Sequence, residues 1–203
     1  MIKQFAGIIT SFLVHENIIR DDDYEIYQYG TEQILINLTM LLVIIIIATI
    51  VNMWAETIFF LVSMLPIRAV AGGFHASTPL KCNVLTVSVY ILNIIFINFF
   101  KNHMTIYILL ALLSFVMFSI FRYAPVDHKN KVLHQDEFII VKKKSRILGM
   151  LIIGTCTGVA FAISPTNVFV ISTMMGALTA SVSLFIGSII RGGEKYENSG
   201  YTS

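Results

Sequence analysis

Six long apolar segments, separated by short polar turns, dominate the pattern of this chain. A membrane-spanning helix needs about 20 apolar residues, and most of the segments reach that length with flanking residues. Helices satisfy their backbone polar groups locally, and continuous apolar runs lack the alternation of a membrane β-barrel. The pattern therefore predicts an all-α integral membrane protein with about six transmembrane or intramembrane helices. The segments are Gln33–Asn52, Trp54–Pro66, Asn83–Phe100, Thr105–Phe121, Ile147–Ser164 and Asn167–Ile190.

The second segment is shorter than the others and carries polar or helix-breaking residues at both ends. Glu56 lies near its start and Pro66 near its end. The segment is therefore either a span kinked at Pro66 or a helix that stops partway through the bilayer. Glu56 is expected to lie at the membrane interface beside Trp54, although a carboxylate inside a membrane also raises a functional hypothesis.

Residues 1–30 show a different pattern, with apolar side chains repeating at helical spacing. Phe5, Ile8, Ile9, Phe12 and Leu13 fall on one helical face. This periodicity predicts an amphipathic helix that lies in the membrane interface rather than crossing the bilayer. We expect a break at Gly30-Thr31, with Thr31 as the N-cap of the first span. The predicted organisation is thus an interfacial segment (1–30), a membrane-embedded domain (31–190) and a cytoplasmic tail (191–203).

Composition narrows the class of protein further. The chain is 56% hydrophobic and only 13% charged, with a mean hydropathy of +0.79, whereas a soluble domain is about a quarter charged. The net charge of +2 arises largely from one loop and does not indicate nucleic-acid binding. Two cysteines, Cys82 and Cys156, are too few for a disulfide framework.

Lysine and arginine placement predicts the orientation of the chain, because cytoplasmic loops of membrane proteins are enriched in these residues. The loop 122–146 carries half of them and is expected to be cytoplasmic, whereas the Ser164-Pro165-Thr166 turn has none and is expected outside. Counting six crossings then places both termini and the loop 67–82 in the cytoplasm. The run at 142–146 is read first as a determinant of topology, and alternatively as a surface that attracts an acidic peptide or anionic lipid.

The loop 67–82 holds the two residues best suited to catalysis, His75 and Cys82. A thiol and an imidazole are sufficient for nucleophilic acyl transfer if they come into contact. On an unbroken helix their backbones would be about 10 Å apart, given a rise of 1.5 Å per residue, so the chain must turn between them. Gly72-Gly73 allows unusual backbone angles before His75. Thr78-Pro79 predicts a helix start that leaves Cys82 in the first turn.

The local charges of this predicted site favour a reactive thiolate. The positive end of the helix dipole, Lys81 and a nearby imidazolium would each stabilise the Cys82 thiolate. The alternative to a catalytic pair is a purely structural one, with His75 as a buried histidine and Cys82 as an inert cysteine in a helix. A zinc site is a second alternative, but structural zinc normally has four closely spaced ligands, and the other histidines are scattered. No metal and no other cofactor is expected.

The residues Arg68, Gly72-Gly73-Phe74-His75-Ala76 and Cys82 resemble the motif of the accessory gene regulator B (AgrB) family. The later Tyr123-Ala124-Pro125, followed by a basic loop, and the hydropathy profile are also similar to that family. The resemblance implies a membrane cysteine endopeptidase of a Gram-positive bacterium, which removes the C-terminal part of a pheromone precursor and helps to form a cyclic thiolactone or lactone. It further implies that Cys82 is the nucleophile, His75 its general base and an AgrD-like precursor the substrate.

Other roles at this loop stay open at the level of sequence. Arg68 either extends to the cytoplasmic interface, holds the loop or contacts an acidic group of the precursor. Gly72 and Gly73 are read as turn residues that also let a substrate backbone approach. A homodimer is implied by the family alone, and membrane lipid is expected around the helices. The alternatives from other classes are a small membrane peptide exporter and a non-catalytic membrane partner of a sensor. The near absence of charges in the middle of the helices counts against an exporter.

Overall fold

The computed structural model describes residues 2–74, 79–126 and 135–199. Within these ranges the chain is helical and contains no strand, which confirms the predicted all-α class. A short 3₁₀ turn, Asp21–Asp23, precedes the second α-helix. Six of the helices are long and apolar enough to cross a membrane. The α-helices of the described residues are α1 (Ile2–His15), α2 (Tyr24–Val51), α3 (Trp54–Ala71), α4 (Pro79–His103), α5 (Ile106–Tyr123), α6 (Gln135–Ala162) and α7 (Val168–Ser199).

The helices fall into two compact units. The first contains α1, α2 and the part of α4 up to Tyr90, and the second contains α3, the rest of α4, α5, α6 and α7. In the first unit α1 packs on α2 through its small side chains, because Ala6 and Thr10 are fully buried. The opposite face exposes Phe5, Ile8 and Phe12, each by more than half of its surface. This arrangement agrees with an amphipathic helix, and its place in the membrane interface stays a prediction.

Helix α7 forms the centre of the second unit and packs against α3, α5 and α6. Its inward face is fully buried, as at Val170, Met174 and Leu184. The tightest approach is at Gly176, where a Cβ would collide with the carbonyl oxygen of Phe60 and with Ser63 Oγ on α3. Lipid supplies no hydrophobic driving force between helices, so close contact through small residues is what holds such helices together.

A partly buried ion pair links the first turn of α3 to the last turn of α4. Lys101 Nζ on α4 donates to Glu56 Oε1 on α3 over 2.6 Å, and both side chains are largely shielded. A paired carboxylate is neutralised where an isolated one would be costly. Glu56 thus has a structural partner, which accounts for a carboxylate near the start of an otherwise apolar helix.

Several predicted helix boundaries were wrong. Helix α2 begins at Tyr24, so Gly30 and Thr31 lie inside it and Thr31 is not an N-cap. Helix α3 continues through Pro66 to Ala71, five residues beyond the predicted end of the segment. Helix α6 begins at Gln135, so the second half of the predicted loop 122–146 is helical. On α6, Cys156 is buried, whereas a Cβ on Gly154 or Gly158 would meet open space.

The basic run at the start of α6 has a structural contact of its own. Arg146 Nη2 donates to the Phe121 carbonyl oxygen over 3.2 Å, and its guanidinium lies 4.9 Å from the centre of the Phe121 ring. Arg146 therefore satisfies a carbonyl group at the C-terminal end of α5, where helical partners run out. Lys143 and Lys144 are exposed on the same helix.

The contact at Gly176 predicts a position-specific cost for one added methyl group. We expect Gly176→Ala to lower the free energy of unfolding in mixed micelles by about 1–3 kcal/mol, because overpacking a tight contact forces the backbones apart. Gly154→Ala is the matched control, since its Cβ would meet nothing within 4 Å, and should change stability by less than about 0.5 kcal/mol. Equal stability of the two variants would contradict the tight α3–α7 contact.

Candidate functional site

Helix α3 ends at Ala71, inside the predicted loop 67–82, and the end of that helix is set by Gly72. Its φ of 78° lies in a region that residues with a Cβ rarely adopt, and its N–H donates to the Arg68 carbonyl oxygen over 3.1 Å. Gly73 also has a positive φ, of 150°. The two glycines therefore turn the chain sharply away from the helix axis, which agrees with the turn role predicted for them.

Phe74, the last described residue before His75, is held through both polar groups of its backbone. Its N–H lies 3.0 Å from the carbonyl oxygen of Ser183 and 3.1 Å from Ser183 Oγ on α7. Its carbonyl oxygen accepts a hydrogen bond from Arg68 Nη2 over 2.9 Å. Of the three roles left open for Arg68, this contact supports holding the loop. A hydrogen bond from a charged donor is stronger than one between neutral groups.

The segment after α5 closes over the other side of the turn. Val126 N–H donates to the Ala71 carbonyl oxygen over 2.9 Å. A Cβ on Gly72 would collide with the Val126 carbonyl oxygen. The preceding Ala124-Pro125 peptide bond is cis. The Tyr123-Ala124-Pro125 sequence, singled out for its resemblance, thus leads directly into a contact with the Gly-Gly turn.

Helix α7 approaches the turn at a second position, one helical turn after Ser183. A Cβ on Gly187 would lie 2.9 Å from both the carbonyl carbon of Gly73 and the nitrogen of Phe74. Residues four apart share one face of a helix, so Ser183 and Gly187 together form the surface on which the extended backbone 73–74 rests. Both positions were missed by the sequence reasoning. The available signal was the small–x–x–x–small spacing in α7.

The two residues predicted to carry the chemistry are only partly within the described part of the chain. His75 lies outside the described residues. Cys82 lies in the first described turn of α4 (Pro79–His103), but its side chain lies outside the described part. Lys81 is exposed in the same turn. The roles of His75, Cys82 and Lys81 therefore stay predictions.

The second cysteine has an environment unsuited to nucleophilic chemistry. Cys156 is fully buried in α6 and free of any disulfide, and its Sγ lies 4.0 Å from the Val170 carbonyl oxygen on α7. A structural thiol buried among apolar groups is inert because the thiolate form is disfavoured there. Among the side chains that the structure describes, no group of three or more His, Cys, Asp or Glu residues is placed to hold a metal ion.

Comparison with known proteins gives a consistent family assignment. The sequence model described as Accessory gene regulator B matches residues 6–189. An AgrB-like protein of Listeria innocua is 28% identical over 179 residues, which cover 87% of this chain and 84% of that protein. AgrB-like proteins of Clostridium perfringens strains 13 and SM101 are 28% and 29% identical over 152 residues, covering 72% of this chain and 69% of each relative. No solved structure matches the chain at a significant level.

Proposed function

The chain belongs to the accessory gene regulator B family, and we propose that it is a membrane cysteine endopeptidase that cleaves an AgrD-like pheromone precursor. Family membership supports a role in accessory gene regulator pheromone processing. The finer proposal is supported by the sequence positions of His75 and Cys82, which follow the Gly-Gly turn at the spacing of the family motif. The substrate is a short peptide at the membrane surface, and the product belongs to quorum sensing.

Cys82 is the proposed nucleophile because of its place in the chain. It lies in the first turn of α4, where the positive end of the helix dipole lowers the cost of forming a thiolate. His75 is the proposed general base, one residue after the backbone group that Arg68 and Ser183 hold. Arg68, Gly72 and Gly73 support the loop, and Lys81 adds a positive charge beside the thiolate.

The proposed reaction is an acyl transfer in two stages. His75 takes the proton of the Cys82 thiol, and the thiolate sulfur attacks the scissile carbonyl carbon of the precursor. The tetrahedral intermediate collapses as the C–N bond breaks, and the His75 imidazolium gives its proton to the leaving amine. The C-terminal part of the precursor departs, and the N-terminal part remains bound to Cys82 as a thioester.

The second stage closes a ring and frees the enzyme. A thiol or hydroxyl of the bound peptide gives its proton to His75 as it attacks the thioester carbonyl. The C–S bond to Cys82 then breaks, which forms a thiolactone or lactone and releases the Cys82 thiolate. Water is the competing nucleophile and would give a linear acid. A site at the membrane surface keeps water scarce and thereby favours cyclisation over hydrolysis. Exchange of one thioester for another is nearly balanced in energy, so a thiolactone product needs little driving force at this step.

The chain is a multi-pass membrane protein, and we place its termini and the loop 67–82 on the cytoplasmic side of a Gram-positive cell membrane. This orientation rests on the basic residues of 122–146. It brings the loop to the compartment where the precursor is made. The ion pair between Glu56 and Lys101 would then lie at the outer end of α3 and α4. A homodimer is part of the proposal on family grounds.

Loss of either proposed catalytic residue should abolish cleavage. The experiment uses cells that co-express a candidate precursor encoded near the gene for this chain. We expect Cys82→Ala and His75→Ala to reduce cleaved product by at least about 10³-fold, as removal of one member of a catalytic pair does in other enzymes. Cys156→Ala is the matched control, because it removes the other thiol and should leave cleavage near the wild-type rate. Product would be followed by mass spectrometry at equal membrane abundance. Wild-type cleavage by Cys82→Ala would refute the peptidase proposal.

The proposed orientation has a separate test through thiol labelling. In intact cells a membrane-impermeant maleimide should leave Cys82 unlabelled, and permeabilised cells should show labelling. The control is Thr166→Cys in a chain lacking the native thiols, since Thr166 is exposed in the turn between α6 and α7 and should react from outside. Labelling of Cys82 in intact cells would place the loop on the outer face instead.

A further inference from the structure

The contacts of α7 assign a role to two residues outside the recognised motif. We propose that Ser183 and Gly187 are positioning residues, which orient His75 by holding the backbone of Phe74. This inference rests on the proposed function, because it concerns the general base of that reaction. It adds to the loop motif a second element that lies more than a hundred positions away in the sequence.

The peptide group that joins Phe74 to His75 is the point through which the positioning acts. Its carbonyl oxygen belongs to Phe74 and accepts from Arg68 Nη2 over 2.9 Å. On the other side of the Phe74 Cα, the N–H is shared between two oxygen atoms of Ser183, at 3.0 and 3.1 Å. With both flanking peptide groups tied to helices, the direction of the backbone at Phe74 is set by α3 and α7.

Each of the two α7 residues meets a separate requirement. Ser183 supplies a hydroxyl oxygen in addition to its carbonyl oxygen, and the carbonyl is already positioned by the helix. Gly187 leaves room for the backbone 73–74 because it has no side chain. A Cβ at this position would lie 2.9 Å from Gly73 C and Phe74 N. Any larger residue at 187 must push the backbone 73–74 away from α7, which lengthens and weakens the two hydrogen bonds between Phe74 and Ser183.

The contact is distinct from the packing that holds α3 against α7. That packing is tightest at Gly176, three helical turns before Gly187, where the neighbours are Phe60 and Ser63. Ser183 and Gly187 instead face an extended backbone segment that follows α3. A general base must be held within a fraction of an ångström of its working position, and an error of 1 Å costs about 100-fold in rate. The position of the backbone 73–74 therefore directly affects the rate of precursor cleavage.

The test uses the reactivity of Cys82 as well as cleavage of the precursor. With Cys156→Ala as the background, Cys82 is the sole thiol of the chain, and its alkylation by iodoacetamide can be followed against pH in membranes. The set comprises this parent, His75→Ala, Ser183→Ala, Ser183→Thr and Gly187→Ala. Gly158→Ala is the matched control, because a Cβ there meets nothing within 4 Å.

We expect Gly187→Ala to lower cleavage by about 100-fold and Ser183→Ala by about three- to tenfold, the worth of one hydrogen bond. Ser183→Thr keeps the hydroxyl and should recover most of the rate, and Gly158→Ala should match the parent. The alkylation profiles of Ser183→Ala and Gly187→Ala should shift towards that of His75→Ala, because a misplaced imidazole no longer assists the thiol. Rates are compared per amount of folded protein.

Two results would overturn the inference. One is Gly187→Ala with the parent's cleavage rate and alkylation profile. The other is a smaller extent of Cys82 alkylation in both Ser183→Ala and Gly187→Ala, with an unchanged dependence of the alkylation rate on pH. That result would show a loss of folded protein rather than a misplaced base. Ser183→Ala only removes an atom, so it remains informative if Gly187→Ala fails to fold. Failure of the peptidase proposal would be seen in a different result, namely cleavage of the precursor that persists in Cys82→Ala.

Discussion

The close contact between α3 and α7 is the constraint on which the second unit depends. Helices in lipid gain nothing from burying apolar surface against each other, so their association relies on shape and on polar contacts. Gly176 lets the α7 backbone come within van der Waals reach of the Phe60 carbonyl oxygen. The central helix α7, whose inward face is fully buried, can then pack against α3, α5 and α6 together.

The same helix extends this role to the loop that follows α3. Because α7 already lies against α3, its next turns reach the Gly-Gly segment without any additional element. Ser183 and Gly187 continue the line of small residues begun at Gly176, and there the partner is an extended backbone instead of a helix. Arg68 completes the arrangement from the α3 side. Rigid packing in the membrane and the geometry of the proposed catalytic loop thus have one physical origin.

Prediction from the sequence succeeded wherever a local property decides the structure. Hydropathy identified the six apolar helices. It failed where a local signal was overridden. Gly30-Thr31 reads as a break, yet α2 continues through it from Tyr24. Pro66 left open a kinked span or a helix that stops, and α3 continues through it to Ala71. A single glycine costs only about 1 kcal/mol inside a helix. Proline is tolerated in membrane helices because neighbouring groups satisfy the backbone carbonyl that it frees.

The sequence by itself determined the membrane class, the family and the identity of the motif, because each depends on residue type and on spacing over short distances. It left Arg68 with three possible roles and gave no partner to Glu56. Tertiary structure supplied a contact for each, namely the hydrogen bond of Arg68 to Phe74, which supports holding the loop, and the ion pair of Glu56 with Lys101. It alone brought Ser183 and Gly187 to the loop. Contacts between residues so far apart in the chain depend on how helices pack, and no local pattern specifies which small residue will meet which backbone.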